Sequence, residues 1–293
     1  MNVFAMVTTR HSNVYTDYAL SSLMRYTPFE ADDEVILIDN DRAYGELPAE
    51  CRDRVRIQLN EKPLSFAANV NQAIEYATRR RGDVVFLNND LIFSPHWFEP
   101  LRISGPFLLS PLSQTEVCYG EVDFHCGHGT DLPDYLGKEH VFLEIVRRHQ
   151  EKFQGYTPVL KFGFFAVKIP YEVYSVVGPF DESFGVGGGE DTDYCIRCHQ
   201  LGIELKVAVN SYLLHFTGKS TWRGPETAEQ TEARNQLYRK RFREKWGRGL
   251  TLLMMDNNPN GIPPELMPIL ESGDFHRFIE QCVQCIPRRG NAK

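Results

Sequence analysis

The sequence predicts an α/β fold with a helical extension at its C-terminal end. Three observations carry that prediction. Strand and helix signals alternate over the first hundred residues, three apolar strands end in polar, ligand-capable residues, and 42% of the 293 residues are hydrophobic, enough for one large core. Alternation of this kind implies a parallel sheet that takes ligands at the carboxyl ends of its strands.

Asn2 to Thr8 is a β-rich apolar run, and Asn13 to Tyr26 carries a helical stripe of Val14, Tyr18, Leu20 and Met24. Glu34 to Asp39 holds a short buried strand, Val35-Ile36-Leu37-Ile38, and Arg54 to Leu59 is another. Ser65 suits the N-cap of a helix through Phe66, Val70, Ala73, Ile74 and Ala77, and Asp83 to Leu87 is again a buried strand. The strand ends read Thr8-Thr9-Arg10-His11, Asp39-Asn40-Asp41 and Asn88-Asn89-Asp90. Ser94-Pro95 then opens a helix through Trp97 and Leu101, with serine at the cap and proline at the first helical position.

From about residue 110 to 160 the alternation gives way to a variable insert whose one helix runs from Lys138 to about Lys152. Lys161 to Lys168 returns to strand character, Leu205 to Val209 and Tyr212 to His215 are two short strands, and Pro225 to Trp246 is a long polar helix with Tyr238, Phe242 and Trp246 on one face. After Gly247 a proline-rich tail ends in an amphipathic stretch, Phe275, Phe278, Ile279, Cys282 and Val283, which either wraps the main domain or makes an oligomer contact.

Composition excludes several classes. With 39 acidic against 32 basic residues and a charge of −7, the surface does not advertise nucleic-acid binding. No run approaches the roughly 20 apolar residues that span a bilayer, and Asn2-Val3-Phe4-Ala5-Met6-Val7 reads as a strand rather than a secretion signal, so a cytoplasmic protein is expected. Seven scattered cysteines argue for reduced thiols, Cys195 and Cys198 fall inside the helix that follows Asp191, Cys282/Cys285 has no second pair at a useful zinc spacing, and Cys118, His125, Cys126 and His128 fit an acceptor-contacting loop better than any standard zinc spacing. The basic run Arg239, Lys240, Arg241, Arg243, Lys245 and Arg248 reads first as a solvated face, with peripheral contact to anionic lipid at the inner face of a membrane as the alternative.

The richest segment is Gly187-Gly188-Gly189-Glu190-Asp191-Thr192-Asp193, followed by Arg197 and later by His215. Glycines let a backbone turn tightly and approach a ligand, and the carboxylates behind them can occupy the first turn of a helix beginning near Asp191. Acidic side chains also favour a helix N-terminus through its dipole, and Asp193 with Arg197 is an i,i+4 ion pair. That structural account suffices for Asp193; it requires neither the glycines before Asp191 nor the histidine after it.

Read in order, Ile36-Leu37-Ile38-Asp39-Asn40, Ala67-Ala68-Asn69-Val70-Asn71-Gln72-Ala73, Val85-Phe86-Leu87-Asn88-Asn89-Asp90, Val177 to Phe184, Gly189-Glu190-Asp191-Thr192-Asp193, and His215 with Gly218 and Ser220 resemble glycosyltransferase family 2. The resemblance runs from about Val3 to Trp246 and is closest to non-processive, rhamnosyltransferase-like or similar nucleotide-sugar transferases, since no Gln-x-x-Arg-Trp motif or membrane helix is evident. It implies a GT-A fold, a Rossmann-like nucleotide-binding mixed sheet flanked by helices, over residues 1–246. Within it, residues 1–105 form the nucleotide-binding half and 106–224 the acceptor-binding and catalytic half, before a helical tail over 247–293. It also implies inversion at the anomeric carbon, a UDP-, dTDP- or GDP-linked sugar donor, a glycan or lipid-linked acceptor of the kind met in polysaccharide biosynthesis, and a divalent Mn2+ or Mg2+ to offset the leaving diphosphate.

The same resemblance assigns roles. Asp90 and His215 are the expected metal ligands, with Asn88 contributing through its amide oxygen or a water. Asp191 is the expected general base, with Glu190 raising its proton affinity or holding acceptor hydroxyls, and the two roles are exchangeable. Thr8, Arg10, Asp39, Asn71 and Asn89 are placed at the nucleotide, although each also reads as a turn or cap residue, and Gly163, Gly188, Gly189, Lys219, Ser220 and Trp222 at donor or acceptor, with Arg223 beside them. Two rivals remain: a sugar-phosphate nucleotidyltransferase, which wants a glycine-rich loop where Thr8-Thr9-Arg10-His11-Ser12 has no glycine, and a non-catalytic nucleotide-sugar-binding module.

Overall fold

A computed structural model describes residues 1–113, 131–219 and 226–286. In chain order its main elements are β1 (Asn2–Thr8), α1 (Asn13–Tyr26), β2 (Glu34–Asp39), β3 (Val55–Leu59), α2 (Phe66–Thr78), β4 (Asp83–Leu87), β5 (Leu91–Ile92) and β6 (Phe107–Ser113). There follow α3 (Leu132–Tyr135), α4 (Glu139–Lys152), β7 (Tyr156–Pro158), β8 (Ala166–Ile169), α5 (Tyr171–Val177), α6 (Glu190–Gln200), β9 (Glu204–His215), α7 (Ala228–Asp256), α8 (Met267–Glu271) and α9 (Phe275–Gln284). The described strands form one sheet in the order β3-β2-β1-β4-β8-β6-β9-β5, with β7 on β9.

The first four strands are parallel, as strand-helix alternation dictates, and β8 enters antiparallel between β4 and β6. Because β6 and β9 run parallel to each other and against β8, the carboxyl ends of β1, β2, β4, β6 and β9 lie along one edge. The mixed sheet therefore delivers Asn88-Asn89-Asp90 and His215 to the same side. One core face packs α2, α5 and α6 through Val70, Ile74, Val173 and Tyr194, and the other packs α1 through Leu20 and Leu23.

Local chemistry explains the helix boundaries. Ser65 accepts from Ala68 N–H at the start of α2, and Thr227 with Gln230 forms a full capping box on α7. A third core is built by the C-terminal part: Phe275, Phe278, Ile279 and Cys282 of α9 pack with Ile196 of α6 and Phe242, Trp246 and Leu250 of α7. The tail thus wraps the sheet domain, the first of the two expected arrangements.

Five local expectations are corrected. The segment after Ser94 is not an α-helix: the Ser94 hydroxyl donates to Tyr212 C=O, His96 sits at φ 62°, and only a 3₁₀ turn at Glu99–Arg102 follows. The buried face of α1 is Thr16, Ala19, Leu20 and Leu23, whereas Val14 and Tyr18 are exposed. The two strands expected from Leu205 to His215 are one, β9, interrupted where Val209, Asn210 and Ser211 bulge between Ala208, opposite Pro111, and Tyr212, opposite Leu112. Strand structure begins at Ala166 and not at Lys161, because the preceding Phe165 C=O accepts from Asn88 N–H in a loop. The helix expected to end at Trp246 continues to Asp256, broken at Gly247.

Candidate active site

A cleft of about 340 Å³ opens at the carboxyl edge of the sheet. Asn88 enters it from the end of β4, Gly163 to Phe165 from the loop before β8, Gly188 to Thr192 from the start of α6, His215 from the end of β9, and Tyr238, Met254 and Met255 from α7. The glycine run is needed there for two reasons. Gly188 has φ 127° and Gly189 φ 87°, and a Cβ on Gly188 would stand 2.4 Å from the Tyr238 ring. The glycines admit an aromatic side chain of α7 against the loop, a role their sequence alone does not disclose.

Asp191 is partly exposed and accepts from Thr192 N–H at 2.6 Å and from the Thr192 hydroxyl at 3.2 Å. Glu190 beside it is 4% exposed and accepts from Gly188 N–H at 2.6 Å. Burial, and then the charge of Asp191, push the Glu190 carboxyl up to about 8, against the backbone N–H groups and Arg234 that favour its charged form. At neutral pH Glu190 is mainly a neutral acid beside Asp191. Asp193 is fully buried: Arg197 Nε lies 3.0 Å from one oxygen, while Trp246 Nε1 at 2.8 Å and Lys245 Nζ at 2.7 Å share the other. It pins α7 to α6, which gives Lys245-Trp246 a structural purpose.

Asp90 is also fully buried, with Oδ2 accepting Lys219 N–H at 3.0 Å. Its Oδ1 takes no hydrogen bond among the described residues and stands 3.4 Å from His215 Nε2. That spacing suits a shared hard cation, since two donors each about 2.1 Å from one ion stand roughly 3.0–3.4 Å apart. His215 is held by stacking on Phe165 at 5.1 Å. No group of three or more His, Cys, Asp or Glu side chains suited to a metal occurs among the described residues, so a cation at Asp90 and His215 would leave positions for ligand oxygens.

The other expected site residues are placed as follows. Thr8 is buried on Thr16 at 2.7 Å, and Asn89 donates to Ser12 and Thr16 at 2.7 and 2.8 Å. Asp39 accepts three backbone N–H groups of residues 41, 43 and 44, Asn71 braces Phe180 and Glu182, and Arg10 lies exposed on Asp41. None of these five lines the cleft described above. Lys219 reaches Asp131, itself bonded by Tyr15, at 3.3 Å. Ser220, Trp222, Arg223, Cys118, His125, Cys126 and His128 lie outside the described residues. Tyr238, Lys161, Thr217, Met254 and Met255 line the cleft unforeseen. Only Tyr238 carried a signal, as the first member of the aromatic stripe.

Comparison with known proteins agrees with this architecture. A solved structure of GalNAc-T7 with UDP, GalNAc and Mn2+ superposes with a TM-score of 0.60 at 15% identity, covering 96% of this chain and 56% of that one. The fold is the GT-A glycosyltransferase fold. The family model "Glycosyl transferase family 2" matches residues 5–102, and polypeptide N-acetylgalactosaminyltransferase 3 of Homo sapiens is 31% identical over 129 residues, 43% of this chain and 18% of that protein. The chain thus has a GT-A fold whose residues 5–102 are similar to glycosyltransferase family 2, and it spans a minor part of that curated relative.

Proposed function

We propose that this chain is a metal-dependent, inverting glycosyltransferase that moves a sugar from a nucleotide-diphosphate donor to a hydroxyl of a glycan or lipid-linked acceptor. The observation that carries the reading is the pairing, in one cleft, of a partly exposed carboxylate at Asp191 with His215, behind which the buried Asp90 stands at a spacing that fits a cation. Polypeptide GalNAc transferase relatives, one of them solved with UDP and Mn2+, support a nucleotide-sugar donor.

The chemistry follows from the residues. The acceptor hydroxyl gives its proton to Asp191 as its oxygen forms a bond to the anomeric carbon, and the bond from that carbon to the diphosphate oxygen breaks on the opposite face. A divalent ion at Asp90 and His215, with Asn88 nearby, would supply positive charge for the leaving diphosphate. Neutral Glu190 can donate a hydrogen bond to an acceptor oxygen without competing for the proton. The nucleotide is proposed to lie toward Thr8, Arg10, Asp39, Asn71 and Asn89, and Gly163, Gly188, Gly189 and Lys219 to border donor and acceptor, with Ser220 and Trp222 assigned there on sequence.

Two variants test this. Asp191→Ala should lower sugar transfer by about 10²- to 10⁴-fold while leaving Mn-dependent UDP binding intact. Asp90→Ala should abolish the Mn dependence of that binding. Transfer by both variants at the wild-type rate would overturn the reading.

A further inference from the structure

We propose that the concave face of α7 around Gly247 is a second binding site, built for a phosphate group carried by a ligand. Gly247, at φ 77° and ψ 173°, breaks the long helix and bends its two halves toward each other. A cavity of about 650 Å³ forms in the bend, within the size range of small-molecule sites. Arg239, Lys240 and Arg243 line it from before the break and Arg248 from after it.

The charges are not cancelled. Asp256 in the wall is paired with Arg239, and Glu244, the other carboxylate in the wall, lies 4.0 Å from Arg241, so four cations face two carboxylates around the cavity. Lys240, Arg243 and Arg248 are exposed and have no ion-pair partner among the described residues. Three unpaired cations brought together in a concavity repel one another and focus a positive field, which a multiply charged anion relieves. Guanidinium groups match phosphate oxygens two at a time, so phosphate is the chemistry these side chains recognise best.

The site backs onto the reaction cleft across one helix: Tyr238 and Met255 line the cleft, and their neighbours Arg239 and Asp256 line the basic cavity. On the glycosyltransferase reading, on which this last step alone rests, the phosphate belongs to the acceptor, whose hydroxyl enters the cleft on the other side of α7.

Calorimetric titration of pyrophosphate into the metal-free protein tests the site without the catalytic metal. Wild type should bind one equivalent, and the Lys240→Ala/Arg243→Ala/Arg248→Ala variant at least tenfold more weakly. These side chains are exposed, so the variant should keep the wild-type melting temperature and Mn-dependent UDP binding. Sedimentation with phosphatidylglycerol vesicles, against phosphatidylcholine, identifies the source: variant-sensitive lipid binding makes the phosphate a headgroup, and variant-sensitive pyrophosphate binding alone makes it a soluble one. Equal binding of both probes by wild type and variant would overturn the site. Loss of UDP binding in wild type with the pyrophosphate difference intact would sink the transferase reading and leave the phosphate site standing.

Discussion

The two halves of the sheet treat their polar residues differently. In the first half, polar groups at strand ends are knotted to one another: Thr8, Ser12, Thr16 and Asn89 form one buried cluster, and Asn40, Asn60 and Asn69 another with contacts of 2.8 to 3.2 Å. In the second half, Glu190, Asp191 and His215 face a cleft, while Asp193 between them in sequence is given over to structure. Most of these buried amide groups are paired within the knots, Asn89 Oδ1 excepted, so asparagines at strand ends report first on the loops that close the sheet. Carboxylates left at the mouth of a cavity report on chemistry.

The largest stability effect expected is at the exception. Trp246→Ala should destabilise by about 3–5 kcal/mol, because it empties a buried site in the C-terminal core and removes the indole donor to Asp193. Denaturant unfolding measures it. Tyr238, Met254 and Met255 ride on the same helix, so transfer should fall with stability here. A loss below about 1 kcal/mol would show that α7 is held by the apolar tail alone.

Next comes the first-half knot. Asn69 accepts from Asn60 at 2.8 Å and donates to Ser65 C=O at 2.9 Å, so Asn69→Ala should cost about 1–3 kcal/mol by leaving buried amide groups unpaired. Transfer per folded molecule should be unchanged. A selective loss of transfer with normal unfolding would break the comparison and make the knot part of the nucleotide site.

How much of this was legible in the sequence follows from the same contrast. Continuous apolar runs located β1, β2 and β4, which are buried on both faces, and helical patterns located α2 and α4, which bury one face. It misread the register of α1, whose Val14 and Tyr18 are exposed while Thr16 is buried by the hydroxyl cluster, and it could not see the bulge that joins Leu205 to His215 into one strand. At the cleft, Asp191 and His215 stood out by motif, but Met254 and Met255 did not, since nothing local marks a side chain that enters a cavity by the path of a distant helix. The raised proton affinity of Glu190 was likewise hidden. It depends on which carboxylate is buried, and burial is a property of the packed loop.

The smallest effect separates those two carboxylates. Glu190, ordinarily near 4.5, is held up to about 8 by burial first and by Asp191 second. Between these values the folded protein keeps a proton that the unfolded chain releases, so the Glu190 contribution to stability is fully present below about 4.5 and is lost as pH rises to about 8. Glu190→Gln supplies a permanently neutral isostere and should flatten that decline, read as the change of melting temperature from about pH 5 to 8. It should also leave appreciable transfer at neutral pH, because the proton acceptor is Asp191. Wild-type transfer by Asp191→Asn, with none by Glu190→Gln, would exchange the two roles. The carboxylate buried beneath Gly188 would then be the base despite its raised proton affinity, and the partly exposed one its support.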